Sequence, residues 1–236
     1  MTSALELHNV TKEYTGTPPV IALRSASLTI AMGEFVAIVG PSGSGKTTML
    51  SIAGTLERPT SGRVVIAGSS VERLSDDELA DVRASEIGFV FQRFFLLPTL
   101  STLDNVANGL LYRGVDLEER RQAARSALKA VRLDHRADHR PSQLSGGECQ
   151  RAAIARALLG DPKIILADEP TGNVDSAQGS EILELLSELN TEGRTIVVVT
   201  HSQEISDAIP RTVRVRDGQV ESDTGSTGDD NGNASA

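Results

Sequence analysis

Cysteine occurs once in 236 residues, tryptophan is absent, and aromatics make up only 3% of the chain, as five Phe and two Tyr. A single thiol excludes a disulfide framework and any zinc site built on several thiolates. So few aromatics leave a core that must be mainly aliphatic. Long apolar runs are also missing. The longest, Phe35-Val36-Ala37-Ile38-Val39, falls far short of the roughly 18 residues that a membrane span needs. The opening Met1-Thr2-Ser3-Ala4-Leu5-Glu6 has neither the basic start nor the apolar stretch of a secretory leader. Lys and Arg number 23 against 32 Asp and Glu, a net charge of -9, so a broad basic face for nucleic acid is not expected. Five of those acids, and no Lys or Arg, fall between Asp217 and Ala236, so global acidity by itself is a weak argument on that point. The expectation is a cytoplasmic protein that meets a membrane only through a partner.

What is present is an alternation of short apolar runs with longer helical stretches. Strands are expected at Leu5–Val10, Phe35–Val39, Arg63–Ile66, Ile87–Phe91, Ile164–Ala167, Thr195–Thr200 and Thr212–Arg216. Phe35–Val39 and Ile196–Val199 are apolar at every position, which suits strands of a parallel sheet covered on both faces. In Ser180–Asn190 the spacing of Ile182, Leu185, Leu186 and Leu189 predicts an amphipathic helix. A second helix is predicted over Leu117–Val131, with Glu118-Glu119-Arg120-Arg121 on its solvated side. Residues 92–150 hold no convincing strand and read as a helical block inserted into the alternating frame. From Glu221 to Ala236 no large apolar residue occurs, and this acidic end is expected to be disordered.

Two motifs carry chemistry. Gly40-Pro41-Ser42-Gly43-Ser44-Gly45-Lys46-Thr47 fits G-x-x-x-x-G-K-[ST] between a buried strand and the helical Thr48–Ala53. Glycines let backbone N–H groups converge on phosphate oxygens at a helix N-terminus, where negative charge is favoured. In that motif Lys46 reaches the β- and γ-phosphates and Thr47 offers its hydroxyl to Mg²⁺. The apolar strand Ile164–Ala167 ends in Asp168-Glu169. Alone, such an acidic pair reads as a turn or helix cap. Beside a phosphate loop, Asp168 suits a metal and Glu169 suits the water that attacks phosphorus. Together they point to a P-loop ATPase or GTPase.

A third segment, Leu144-Ser145-Gly146-Gly147-Glu148, precedes the helical Cys149–Leu158. Read locally it is a capped helix with an anion-binding N-terminus. It also resembles the signature motif of ATP-binding-cassette (ABC) ATPases, and other elements of that family match in order. Tyr14 resembles the aromatic that stacks on adenine. Gln92 resembles the glutamine that senses Mg²⁺ and the attacking water. Gly172-Asn173-Val174-Asp175 resembles the loop that couples two active sites, and His201 the histidine that contacts the γ-phosphate. The resemblance covers Leu5 to about Val220. It implies one α/β domain over 1–220: a P-loop NTPase core (1–91 and 160–220) with a mostly parallel sheet, an antiparallel β-subdomain and an inserted α-helical subdomain (about 92–159). It further implies ATP and Mg²⁺ as ligands. Gly40, Ser42, Gly43, Ser44, Gly45, Lys46, Thr47, Thr48 and Tyr14 would bind nucleotide, Asp168, Thr47 and Gln92 would lie at the metal, and Glu169, His201, Gln92 and Lys46 would serve hydrolysis. The family's dimer would sandwich each ATP between Lys46 and Thr47 of one subunit and Ser145, Gly146 and Gly147 of the other, with Asp175 nearby.

Phe89-Val90-Phe91-Gln92, Leu96-Leu97-Pro98, Asp104-Asn105-Val106 and Ala167–Asn173 are most similar to the lipoprotein-releasing and macrolide-exporting branch, which works with a permease bearing a large extracytoplasmic domain. That branch includes cell-division ATPases that regulate cell-wall enzymes without transport, and this alternative stays open. A soluble ABC ATPase of DNA repair or the ribosome is the more distant rival. It is disfavoured by the single cysteine, the single cassette and the absence of room for a coiled coil between Lys46 and Asp168. Three positions depart from the family pattern: Cys149 for Gln, Asp104 for Glu, and Ser202 for the Asp after the switch histidine. Phe94, Phe95, Leu96 and Leu97 either fill the helical block's own core or form a groove for a membrane partner.

Overall fold

The computed structural model describes residues 2–225. Two sheets organise the chain. A four-stranded antiparallel sheet runs in the order β2-β1-β4-β5, from β1 (Ser3–Tyr14), β2 (Val20–Ala31), β4 (Ser61–Ile66) and the two-residue β5 (Ser69–Ser70). A six-stranded sheet runs β10-β9-β3-β8-β7-β6. Its members are β3 (Phe35–Val39), β6 (Ile87–Val90), β7 (Ile164–Asp168), β8 (Ile196–Thr200), β9 (Arg211–Arg216) and β10 (Gln219–Asp223). The pairs from β9 through β6 are parallel, and only β10 runs antiparallel to its neighbour.

The all-apolar strands follow from this layering, because side chains alternate across a strand. Phe35, Ala37 and Val39 of β3, with Ile196 and Val198 of β8, face a core closed by the helices. Val36 and Ile38, with Val197 and Val199, face a second core closed by the antiparallel sheet and by α1 (Lys46–Ala53). Each face being covered, a polar residue on these strands needs a buried hydrogen-bond partner, as Thr200 at the end of β8 has.

The helical block contains α3 (Thr102–Ala107), α4 (Leu117–Ala130) and α5 (Gly146–Leu158), joined through 3-10 turns. Ser101 and Asp116 cap the first two by accepting N–H bonds. Asp104, the departure in α3, pairs with Arg121 of α4 at 2.8 Å. Three further helices lie in the frame: α2 (Asp76–Glu86), α6 (Ser176–Thr191) and α7 (Gln203–Asp207). Ser202, where the family has Asp, caps α7 through Ile205 N–H.

The acidic end requires a correction. Disorder was expected from Glu221, yet Glu221, Ser222 and Asp223 belong to β10. Arg211 makes two bonds to the Asp223 carboxylate, at 2.9 and 2.6 Å, and a third to Glu34 at 2.6 Å. Half-buried charges satisfied in this way, together with Val220 packed against the second core, hold the edge strand. Thr224 N–H donates to Thr212 O at 3.1 Å, and residues 226–236 of the expected tail lie outside the described residues.

Candidate active site

The glycine loop leaves β3 and enters α1. Two approaches require glycine: a Cβ at Gly40 would sit 2.0 Å from Val215 O, and at Gly45 (φ +101°) 2.4 Å from Ala22 O. Gly45 offers α1 no side-chain cap, and the first turn carries no acid. The helix therefore presents its positive end and its first N–H groups uncompensated. Lys46, only 8% exposed, donates from Nζ to Gly40 O and Pro41 O, each at 2.8 Å. Its ammonium is thus held across the loop that the motif assigns to phosphate.

Strand register brings the acids to the same sheet end. Val39 pairs with Thr200, and Asp168 with Val199, so β3, β8 and β7 finish side by side. Burial, and then the charge of Glu169, push the Asp168 carboxyl above its ordinary pKa, while nearby Lys46 pulls it back. Glu169 stands at φ +44°, a strained position for a side chain of this size, fixed by its N–H donating to Val199 O at 2.9 Å. Its two oxygens are both engaged: Oε2 accepts from Thr200 Oγ1 at 3.2 Å, and Oε1 lies 2.6 Å from His201 Nδ1. A carboxylate held this way has few orientations left, which is what a positioned base requires. Among the described residues no cluster of three or more His, Cys, Asp or Glu side chains could hold a metal ion.

Gln92 follows β6 and meets the Gly172–Asn173 loop. Its carbonyl accepts from Asn173 Nδ2 at 2.8 Å, and its amide rests against Gly172. Tyr14 ends β1 and is 38% exposed, with Lys12 Nζ 5.1 Å from its ring centroid and its hydroxyl donating to Glu57 at 2.7 Å. The ring is therefore fixed while retaining open surface.

Four of the five Phe cluster beside Gln92. Phe89 stacks on Phe91 at 5.3 Å, and Phe91 meets Phe95 edge-on at 5.4 Å. The apolar turn divides between the two roles open to it. Leu96 packs on the helical core and Phe94 is half-buried, whereas Phe95 and Leu97 are 61% and 52% exposed. Phe89, Phe91 and Phe95 line a groove of about 320 Å³ with Gly109, Arg156 and Leu159. Arg156, near the end of α5, donates to Phe94 O and Phe95 O, each at 2.8 Å. Burial lowers its pKa. The sequence held no sign of this clamp.

The helix α5 begins at Ser145, whose Oγ accepts from Glu148 N–H at 3.2 Å while Glu148 Oε2 accepts from Ser145 N–H at 2.7 Å. This reciprocal capping box turns the Glu148 carboxylate back on its own helix. The Ser145 N–H, and then Arg136 at 2.9 Å, hold that carboxyl below its usual pKa against the effect of burial. Gly147 N–H donates to Gln178 Oε1 of α6 at 2.6 Å. The hydrogen bonds of Ser145–Gly147 thus run within α5 and to α6, and among the described residues none runs to the glycine loop. Cys149 is buried, its thiol pKa raised by that burial. His8, His135 and His139 take no part in this site.

The family model described as ABC transporter matches residues 23–172. An uncharacterized ABC transporter ATP-binding protein of Thermotoga maritima is 52% identical over 94% of this chain and 95% of its own length. A macrolide export ATP-binding/permease protein, MacB of Hyphomonas neptunium, is 48% identical over 94% of this chain, which spans only 34% of that longer protein. Among solved structures, the dimeric post-hydrolysis state of the ATP-binding cassette MJ0796 bound to ADP and Pi superposes with a TM-score of 0.84, at 48% identity over 93% of this chain and 97% of that one. On this sequence, fold and site, the chain belongs to the ABC transporter family, as an ATP-binding and ATP-hydrolysing domain.

Proposed function

We propose that this chain powers a membrane export or extraction complex, binding and hydrolysing ATP as a homodimer on a separate permease. The observation that carries the reading is the convergence of Lys46, Asp168, Glu169 and His201 at one end of three adjacent parallel strands. ATP would lie on the glycine loop with its base against Tyr14 and its phosphates at Lys46 and the N-terminus of α1. The Thr47 hydroxyl and the Asp168 carboxylate form an oxygen donor set of the kind Mg²⁺ accepts, one or two protein oxygens completed by phosphates and water. Bound there, the ion would neutralise charge developing between the β- and γ-phosphates. Glu169, steadied by His201 and Thr200, takes the proton of the attacking water, and Gln92 reports the state of the aromatic turn to that water.

The second half of each site comes from the second subunit, whose Ser145 and Gly147 face the γ-phosphate. Within one chain that segment hydrogen-bonds to α6 instead, so one chain supplies half of each site. The permease docks at the groove lined by Phe91 and Phe95, beside the exposed Leu97, and would hold the domain at the inner membrane face. No helix of the described residues is long and apolar enough to cross a membrane. The core and helical block act as two parts of one domain, with Gln92 at their junction.

In Glu169→Gln, hydrolysis is expected to fall by about 10²–10⁴-fold while ATP binding persists and a dimer accumulates. Steady-state turnover and gel filtration with ATP read both. Near-normal turnover would remove Glu169 from the role of base.

A further inference from the structure

We infer that Gln178 is a built-in placeholder for the γ-phosphate: its side-chain amide occupies the Gly147 N–H in the open chain and must leave it when two subunits close on ATP. The inference rests on the composite site proposed above and concerns a residue outside its motifs. Gln178 lies in the first turn of α6, where its own N–H is bonded to the capping Asp175 at 2.9 Å. That bond fixes the backbone and leaves the side chain to reach across to α5. There Oε1 accepts from Gly147 N–H at 2.6 Å. The approach is close enough that a Cβ at position 147 would lie 2.8 Å from the same oxygen.

An N–H at a helix start needs an acceptor, and an unsatisfied one is expensive. Gln178 supplies a neutral acceptor from the chain itself. A phosphate oxygen carries charge, and a charge-assisted bond is roughly twice as strong as a neutral one. The exchange therefore favours the γ-phosphate when the second subunit delivers it. A diphosphate, which lacks that group, would leave Gln178 in place. The helices do not depend on the Gln178 bond to stay together, since Arg151 of α5 also pairs with Glu181 of α6 at 3.0 Å. The bond thus raises the threshold for closure and links it to the segment that carries Asp175. Gln178 acts through Gly147 and is a positioning residue.

The test is ATP-dependent dimerisation in the Glu169→Gln background, measured by analytical ultracentrifugation. Gln178→Met keeps the length and removes the acceptor, and dimers are expected at about fivefold lower protein concentration. Gln178→Glu places a charged acceptor on the N–H and a negative charge at the phosphate, and dimerisation is expected to weaken at least tenfold. The Gly147 amide, followed by hydrogen exchange in the nucleotide-free chain, should lose protection in Gln178→Met alone. A Met variant that dimerises no better than its parent, or a Glu variant that matches it, would overturn the placeholder. If Glu169→Gln alone forms no dimer with ATP, the composite site itself fails.

Discussion

Two helix N-termini in this chain are the ones proposed to meet phosphate, and they are finished in opposite ways. Helix α1 starts from a glycine with no side-chain cap and no acid in its first turn. Helix α5 starts from a full capping box, with Gly147 N–H taken by Gln178. The first end is ready for phosphate as it stands. The second is satisfied by its own chain and yields only to a stronger acceptor. The difference separates binding, which one chain can perform, from closure, which takes two.

Variants that break this comparison rank by effect. The largest is Lys46→Ala, which removes the one ammonium in the phosphate loop. ATP affinity is expected to fall by about 10²–10³-fold, read by calorimetry on the single chain. Ser145→Asp preserves a good N-cap but places a carboxylate where the second subunit's phosphate would land. Single-chain ATP affinity should stay unchanged, while dimerisation in the Glu169→Gln background weakens about 100-fold. If both variants damaged single-chain binding equally, the two ends would not be distinct.

Smaller effects sharpen the comparison at the aromatic turn and at the capping box. Phe95 is 61% exposed, so Phe95→Ser should leave unfolding within about 0.5 kcal/mol of the parent and abolish co-purification with the permease. Unfolding of that variant would assign the side chain to the core instead. The smallest effect is at Glu148. Its folded-state pKa lies below the unfolded value, so its contribution is full above the ordinary carboxylate range and is lost as pH falls through the folded value. Glu148→Gln should therefore cost about 1 kcal/mol at pH 7 and flatten the acid limb of a melting-point profile.

The sequence made legible what depends on local pattern. Strands buried on both faces announce themselves, and β3, β7 and β8 lead into the glycine loop, the Asp168–Glu169 pair and His201. Elements stabilised by polar contacts stayed hidden. In β2 only alternate residues are buried, and a bulge with Ser25 at φ +53° interrupts the period. The helix α2 buries only Leu79 and is set by its Ser75–Glu78 capping box, so it shows no apolar stripe. The strand β10 is held by the Asp223–Arg211 pair across a hairpin. Gln178 and Arg156 were equally invisible, because their roles come from partners 31 and about 60 residues away rather than from neighbours in sequence.

The division of each site between two chains is tested most directly by mixing two defective proteins. Lys46→Ala lacks the phosphate loop's cation, and Ser145→Asp lacks the opposing helix end. In a head-to-tail mixed dimer one site carries both defects and the other carries neither. Each variant alone should be inactive, and an equal mixture should recover roughly a quarter of the parent's ATP hydrolysis, since half the dimers are mixed and each holds one intact site. A mixture as inactive as its components would mean that each chain builds its site from its own residues, and would contradict the account.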